Sequence, residues 1–148
     1  MVRSEFILIL DDDKDIIAET AAFLRGQGLN VHTFTDPLAA LEDFKQNFDD
    51  CFLLLSDIRM PHMNGFHFVR KVREIKSDLK VVFMTTFEID ISEFQKIHSS
   101  MKLYDVIKKP ISMRKLGILI KNSTVSTPKM TKHEEKGERR LDWIVTPS

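Results

Sequence analysis

Residues 51–65 of this chain read Cys51-Phe-Leu-Leu-Leu-Ser-Asp-Ile-Arg-Met-Pro-His-Met-Asn-Gly65, and they are the most informative segment about the fold. The run Cys51–Ser56 carries no charge, and its continuous apolar character is typical of a strand that is covered on both faces of a sheet. Asp57 follows that run and precedes a loop that contains Pro, Asn and Gly. In an open α/β sheet, ligands bind at the carboxyl ends of the strands. A carboxylate in this place therefore indicates chemistry rather than packing.

The rest of the chain alternates short apolar runs with helical patterns. Five strands are predicted, at Phe6–Leu10, Val31–Phe34, Phe52–Ser56, Val81–Met84 and Tyr104–Ile107. Five helices are predicted, beginning near Asp13, Asp36, Asn64, Ile89 and Ser112, and the fourth of them covers about residues 89–101. Strict alternation of strand and helix predicts an α/β fold, a doubly wound five-stranded parallel sheet with helices on both faces.

Length and composition bound the class of protein. A chain of 148 residues with 43% hydrophobic and 30% charged residues is expected to form one globular domain. The net charge of zero gives no reason to expect binding to nucleic acid or membrane. No run approaches the roughly 20 apolar residues of a membrane span, and the single Cys51 is expected to be a buried hydrophobe. A cytoplasmic location is expected.

The character of the sequence changes after about Asn122, where apolar residues become sparse. Residues 4–122 are therefore expected to form the domain. Residues 123–148 are expected to be a flexible tail or a short docking segment, because they carry too little apolar surface for a second domain.

Polar side chains follow four of the five predicted strands, all at the same edge of the sheet. They are Asp11 and Asp12, Asp57, Thr86 and Lys109. Carboxylates brought together repel one another unless a cation joins them. A set of oxygen ligands with open positions suits Mg²⁺, and a Lys with a hydroxyl suits phosphoryl oxygens. The pattern predicts phosphoryl transfer onto an aspartate.

Four motifs carry a resemblance to a known family. They are ILILDDD at residues 7–13, LLLSDIRMPHMNG at 53–65, VVFMTT at 81–86 and IKKPIS at 107–112. From about residue 4 to residue 122 the chain resembles the receiver domain of two-component response regulators, of the stand-alone, single-domain type. The resemblance implies the strand order 2-1-3-4-5.

The resemblance also implies roles for the acidic residues. Asp57 would be the phosphoacceptor. Asp12, with support from Asp11, would hold Mg²⁺ together with Asp57, and the backbone carbonyl of Arg59 would complete the ligands from the protein. Asp13 falls outside this set and is expected to cap the first helix.

Three further roles follow from the resemblance. Thr86 would be the hydroxyl that swings toward the phosphoryl group, Lys109 would pair with that group, and the bond from Lys109 to Pro110 would be a cis peptide. Val106 occupies the second switch position, where the family usually has an aromatic ring that changes rotamer. Tyr104, two residues earlier, lies on the same side of the strand and is a candidate substitute. The residue after Thr86 is usually small in the family, whereas here it is Phe87, which predicts slower access for small phosphodonors.

The function implied is a phosphorylation-dependent signalling switch rather than a turnover enzyme. Its partners would be a sensor histidine kinase or phosphotransfer protein and a downstream protein, with output through protein contacts or phosphorelay. A homodimer through the fourth helix, the fifth strand and the fifth helix is a further possibility.

Two alternatives stay open. In a Mg²⁺-dependent phosphohydrolase, Asp11 would be the nucleophile of an Asp-x-Asp motif and Asp57 a metal ligand. In a receiver-like binding module, only the fold would be kept and phosphorylation would play no part.

Overall fold

The computed structural model describes residues 5–86, 99 and 101–125. The chain divides into two compact units, residues 1–110 and residues 111–148. The first unit carries five strands: β1 (Phe6–Leu10), β2 (Asn30–Phe34), β3 (Cys51–Asp57), β4 (Lys80–Thr85) and β5 (Asp105–Lys108). They form one parallel sheet in the order β2-β1-β3-β4-β5. The predicted strands and their order are confirmed. Each observed strand end lies within one residue of the predicted end.

Three helices of the first unit lie within the described residues: α1 (Lys14–Gly26), α2 (Pro37–Asn47) and α3 (Gly65–Ile75). A short 3₁₀-helix, Phe48–Asp50, joins α2 to β3. The predicted first three helices are confirmed. The predicted fourth helix, near residues 89–101, falls almost wholly outside the described residues and stays a prediction, as does the role of Phe87.

The first unit is built around strands that are buried on both faces. Every residue of β1 is buried, and so is nearly all of β3. On one face, Leu8 and Leu54 belong to a cluster that also contains residues of α2 and α3, among them Phe44, Phe68 and Val72. Because both faces are covered, these strands read as continuous apolar runs rather than as alternating ones. Polar residues are thereby displaced to the ends of the strands.

Side-chain caps fix where the helices begin. Asp13 accepts hydrogen bonds from the backbone of Asp15 and Ile16, and Asp36 accepts one from Leu38. Asn64 accepts one from His67 at the start of α3. The predicted caps at Asp13 and Asp36 are confirmed. Each cap satisfies a helical N–H that has no partner within the helix and so stops the helix from extending into the strand end.

The edge at which the strands begin, here called the amino edge, is closed by two side chains at the end of α3. Arg73 donates to the main-chain oxygens of Leu79, Met101 and Lys102. Lys76 donates to those of Phe48, Asp49 and Cys51. Five of these acceptors belong to the connections that lead into β3, β4 and β5, and the sixth, Cys51, is the first residue of β3.

The second unit begins with α4 (Met113–Val125), which is the fifth helix predicted from sequence. Its first turn is capped by Ser112, whose hydroxyl oxygen accepts a hydrogen bond from the backbone of Lys115. The helix continues three residues past the predicted domain boundary at 122. Residues 126–148 of the predicted tail lie outside the described residues. None of the described helices is both long and apolar enough to span a membrane.

Candidate functional site

Asp57 ends β3 at the carboxyl edge, where the strands of the sheet end. Only 10% of its side chain is exposed. Its Oδ1 atom accepts a hydrogen bond of 2.9 Å from the backbone N–H of Ile58. Leu10 pairs with Ser56 in the neighbouring strands, so the residue that follows β1 lies beside Asp57.

Three carboxylates meet at this point. One oxygen from each of Asp11, Asp12 and Asp57 lies within 4.8 Å of the others. Asp11 is fully buried and Asp12 is exposed. The Oδ1 atom of Asp11 accepts a hydrogen bond of 2.9 Å from the backbone of Asp13, which itself caps α1. The start of α1 therefore fixes the orientation of the buried carboxylate.

Lys109 brings a positive charge to the same place. Its Nζ atom lies 2.8 Å from Oδ2 of Asp11 and 3.5 Å from Oδ2 of Asp57. Its backbone N–H donates to the carbonyl of Thr85, at the end of β4. The bond from Lys109 to Pro110 is cis, as the sequence resemblance implied.

Burial and charge shift two pKa values in the site. Burial, together with the negative charge of Asp11, raises the pKa of Asp57 from 3.8 to about 6, although Lys109 opposes the shift. Burial alone would lower the pKa of Lys109, but Asp11 and Asp57 outweigh it and raise that pKa. Lys109 is therefore charged at neutral pH, whereas Asp57 gives up its proton less readily than an exposed aspartate does.

A cavity of about 410 Å³ opens over these groups and is lined by Asp12, Asp13, Asp57, Arg59, Thr85, Thr86 and Lys109. The predicted site residues Asp12, Asp57, Thr86 and Lys109 thus share one cavity, and Asp11 lies beside it. Sequence reasoning did not select Thr85, which is buried at the end of β4 next to exposed Thr86. The sequence shows two neighbouring threonines after the apolar run of this strand, and this pattern does not distinguish between them.

Val106 lies elsewhere. It pairs with Phe83 inside the sheet and packs, partly buried, against the apolar cluster that contains Leu8 and Phe68. It does not line the cavity. Tyr104 lies just before β5, near the amino edge, and the Nζ atom of Lys80 is 5.4 Å from the centre of its ring.

The donor set fits a small, hard divalent cation. Carboxylate oxygens are the ligands that Mg²⁺ prefers, and Mg²⁺ usually takes one or two carboxylates and completes its shell with water or phosphate. Of the three clustered carboxylates, Asp12 and Asp57 line the cavity and match that requirement, whereas Asp11 is buried beside them. With Lys109 as the nearby counter-charge, the arrangement leaves negative charge for such an ion to neutralise.

The sequence model of the response regulator receiver domain matches residues 7–121. The chain belongs to this family. Among curated relatives of this receiver domain, the response regulator SaeR of Staphylococcus epidermidis is 28% identical over 141 residues, covering 94% of this chain and 58% of SaeR. SaeR of Staphylococcus aureus is 28% identical over 117 residues, covering 78% of this chain and 49% of the relative. The chain thus spans about half the length of the curated relatives it matches.

Solved structures agree on the fold of the receiver domain. A CheY-like receiver domain from Methanospirillum hungatei has a TM-score of 0.75 at 24% identity, over 86% of this chain and 98% of that one. A receiver domain from Clostridium thermocellum has a TM-score of 0.73 at 22% identity, over 86% and 99% of the two chains. At these identities the likeness concerns the fold alone.

Proposed function

We propose that this receiver domain accepts a phosphoryl group on Asp57 from a histidine kinase or a phosphotransfer protein and acts as a signalling switch. The observation that carries the proposal is the position of Oδ2 of Asp57. This oxygen lies 3.5 Å from Nζ of Lys109, and Asp57 lies beside two further carboxylates and lines an open cavity. A nucleophile, a counter-charge and a cluster that suits a divalent cation are thereby combined.

The residues divide the reaction between them. Asp57 Oδ2 attacks the phosphorus atom in line, the phosphorus–nitrogen bond of the donor breaks, and the departing imidazole takes up a proton. Lys109 stabilises the negative charge on the phosphoryl oxygens. Asp11, Asp12 and Asp57, with the backbone carbonyl of Arg59, would hold Mg²⁺, which when bound supplies positive charge to the migrating group.

Two threonines compete for the role of the switch hydroxyl. Thr86 is the residue that the resemblance implied, and Thr85 lines the same cavity from the end of β4. If Thr85 is the switch residue, the residue that follows it is Thr86. Thr86 is small, as the family pattern requires at that position, and Phe87 is then no longer a departure from the pattern. Valine is the matched replacement, because it keeps the branched shape and removes the hydroxyl. Of Thr85→Val and Thr86→Val, the variant that abolishes the response of partner binding to phosphorylation identifies the switch.

The output of the switch is proposed to be a contact with another protein or relay of the phosphoryl group. Phosphorylation biases an equilibrium between two conformations and so changes the surface that a partner meets. The protein would modify itself and lose the phosphoryl group by hydrolysis, without turnover of an external substrate. A cytoplasmic location belongs to the same proposal, since histidine kinases act there.

The alternative of a phosphohydrolase with Asp11 as nucleophile is disfavoured by the geometry. Asp11 is fully buried, and the lining of the cavity does not include it. Its Oδ1 atom accepts a backbone hydrogen bond and its Oδ2 atom is 2.8 Å from Lys109. A substrate phosphate would therefore reach Asp57 rather than Asp11.

The experiment that tests the proposal maps the phosphorylated residue. The protein is incubated with acetyl phosphate and Mg²⁺, reduced with borohydride so that an aspartyl phosphate becomes homoserine, and digested for mass spectrometry. Homoserine at position 57, absent from Asp57→Asn, is the expected result. Homoserine at position 11 would establish the phosphohydrolase. If neither position is labelled although the protein is folded, the result would favour a binding module that works without phosphorylation.

A further inference from the structure

Ser56 is a polar residue inside an otherwise apolar part of β3. The three residues before it are leucines, and Ser56 is fully buried like them. A buried hydroxyl costs free energy unless it has a hydrogen-bond partner. Ser56 has one, because its Oγ atom donates a hydrogen bond of 2.8 Å to the main-chain oxygen of Asp57.

The same main-chain oxygen is confined by Gly65. A Cβ atom added at Gly65 would lie 2.3 Å from the oxygen of Asp57 and 3.0 Å from Cα of Ile58. The Gly65 backbone N–H in turn donates to the carbonyl of Ile58 at 2.7 Å. The oxygen of Asp57 therefore accepts the Ser56 hydroxyl and lies against the bare Cα of Gly65.

This confinement determines the orientation of the Asp57 carboxylate. In a planar trans peptide, the C=O of Asp57 and the N–H of Ile58 point in opposite directions. Fixing the oxygen thus fixes the N–H, which donates to Oδ1 of Asp57 at 2.9 Å. With Oδ1 held in this way, Oδ2 is the oxygen that lies 3.5 Å from Lys109.

We propose that Ser56 is a positioning residue for the phosphoacceptor. Its hydroxyl and Gly65 together fix the peptide between Asp57 and Ile58, so that Oδ1 is held by the Ile58 N–H and Oδ2 is presented for attack. The proposal rests on the proposed function for its catalytic consequence. The structural part of the proposal, that Ser56 fixes the Asp57 carboxylate, applies to the unphosphorylated protein and is tested first in that state.

Ser123 offers a matched control for a buried hydroxyl that donates to a main-chain oxygen away from Asp57. It is also a buried serine, 3% exposed, and it donates to a main-chain oxygen, that of Ile120, at the same distance of 2.8 Å. It lies in α4, outside the unit that holds Asp57. Ser123→Ala and Ser56→Ala therefore remove the same kind of bond, but only the second removes a bond to the peptide of Asp57.

The first measurement is hydrogen exchange of the Ile58 amide by NMR, without phosphodonor or Mg²⁺. Ser56→Ala is expected to speed exchange at Ile58 by about tenfold relative to amides in the middle of β3. Ser56→Thr, which keeps the hydroxyl, is expected to restore protection, and Ser123→Ala to leave Ile58 unchanged. Exchange at Ile58 that is equal in wild type and a folded Ser56→Ala overturns the proposal, whatever the labelling shows. If Ser56→Ala does not fold, Ser56→Cys replaces it, because a thiol keeps the volume with a much weaker donor.

The second measurement is the rate of labelling of Asp57 by acetyl phosphate with Mg²⁺. Misplacement of a reacting group by about 1 Å costs up to about 100-fold in rate, so Ser56→Ala is expected to lower the maximal rate about tenfold. The half-saturating concentration of acetyl phosphate is expected to stay unchanged, because no group that binds the donor is lost. Wild-type rates in Ser56→Ala overturn the positioning role. Absence of labelling in the wild type itself refutes the proposed function, whereas the Ile58 exchange result still decides whether Ser56 positions the carboxylate.

Discussion

At the amino edge of the sheet, Arg73 and Lys76 donate to six main-chain oxygens. At the carboxyl edge, by contrast, the carboxylates of Asp11, Asp12 and Asp57 cluster beside Lys109. The cations of the amino edge are surrounded by acceptors that belong to the fold. The anions of the carboxyl edge repel one another, and burial together with that repulsion raises the pKa of Asp57.

The two edges of the sheet thus differ in role: the charged groups of the amino edge stabilise the fold, and those of the carboxyl edge serve function. Charged groups that only stabilise the fold have hydrogen-bond partners within it, because a buried charge without partners costs folding free energy. Groups kept in mutual repulsion are typical of functional sites, where the cost is offset when a ligand binds. We therefore expect changes at the amino edge to destabilise the protein, and neutralisation of Asp57 at the carboxyl edge to stabilise it while abolishing activity.

The largest effect is expected at the amino edge. Arg73→Met removes three hydrogen bonds from a charged donor and leaves the oxygens of Leu79, Met101 and Lys102 without it. A loss of about 2–4 kcal/mol in the free energy of unfolding is expected, given the strength of charged hydrogen bonds. Urea unfolding followed by circular dichroism measures it. Arg73→Lys should recover only part of the loss, since an ammonium cannot reproduce the guanidinium fork. An unchanged unfolding midpoint in Arg73→Met would mean that these hydrogen bonds do not stabilise the fold.

A smaller effect of opposite sign is expected at the carboxyl edge. Asp57→Asn removes one of three clustered negative charges, and the side chain of Asp57 is itself almost fully buried. Without Mg²⁺ at pH 7.5, the variant is expected to be more stable than the wild type by about 1–3 kcal/mol, as follows from the raised pKa. Chemical unfolding of both proteins measures the difference. A less stable Asp57→Asn would mean that the carboxylate supports the fold.

The difference in stability between Asp57→Asn and the wild type is expected to depend on pH. Because the folded protein raises the pKa of Asp57 from 3.8 to about 6, protonated Asp57 favours the folded state. That stabilisation is fully present below about pH 3.8 and is lost as the pH rises through about 6. The advantage of Asp57→Asn should therefore grow between pH 4 and pH 6.5 and then level off. A difference that is constant over this range would assign the effect to something other than the charge.

The smallest change in stability is expected at a buried polar group that belongs to neither edge of the sheet. Thr20 of α1 is buried, and its Oγ1 atom has no hydrogen-bond partner within the described part of the chain. Thr20→Val keeps the shape and removes the unsatisfied hydroxyl, so a gain of about 1 kcal/mol in stability is expected. Thr20→Ser is the control, because it keeps the hydroxyl and loses a methyl group and should destabilise. Loss of stability in Thr20→Val would indicate a partner for the hydroxyl, and the thermal midpoints of the two variants decide it.

The sequence predicted the sheet and most of the carboxyl edge, because both leave local signals. The apolar runs that end in Asp11 and Asp57 are visible in one dimension, and the caps at Asp13 and Asp36 have a fixed spacing to their helices. The choice between Thr85 and Thr86 was not decidable in the same way. Periodicity locates the end of a strand only to within a residue or two, and these neighbours differ in burial rather than in chemistry.

The amino edge left no comparable signal. Arg73 and Lys76 look like ordinary solvated charges on an amphipathic helix, and their acceptors lie up to 29 residues away along the chain. The acceptors are main-chain oxygens, which every residue possesses, so no side chain marks them. The role of Ser56 was hidden for the same reason, since its partner is the backbone of the next residue.

The function of the carboxyl edge is tested by the effect of Mg²⁺ on the stability of wild type and Asp57→Asn, at pH 7.5 and at matched ionic strength. If the carboxyl edge holds negative charge for a cation, Mg²⁺ should stabilise the wild type by about 2.7 kcal/mol at a hundred times its dissociation constant. Asp57→Asn should start more stable and gain much less at the same concentration. No gain in the wild type, or equal gains in both proteins, would mean that the carboxylates around Asp57 do not hold a cation.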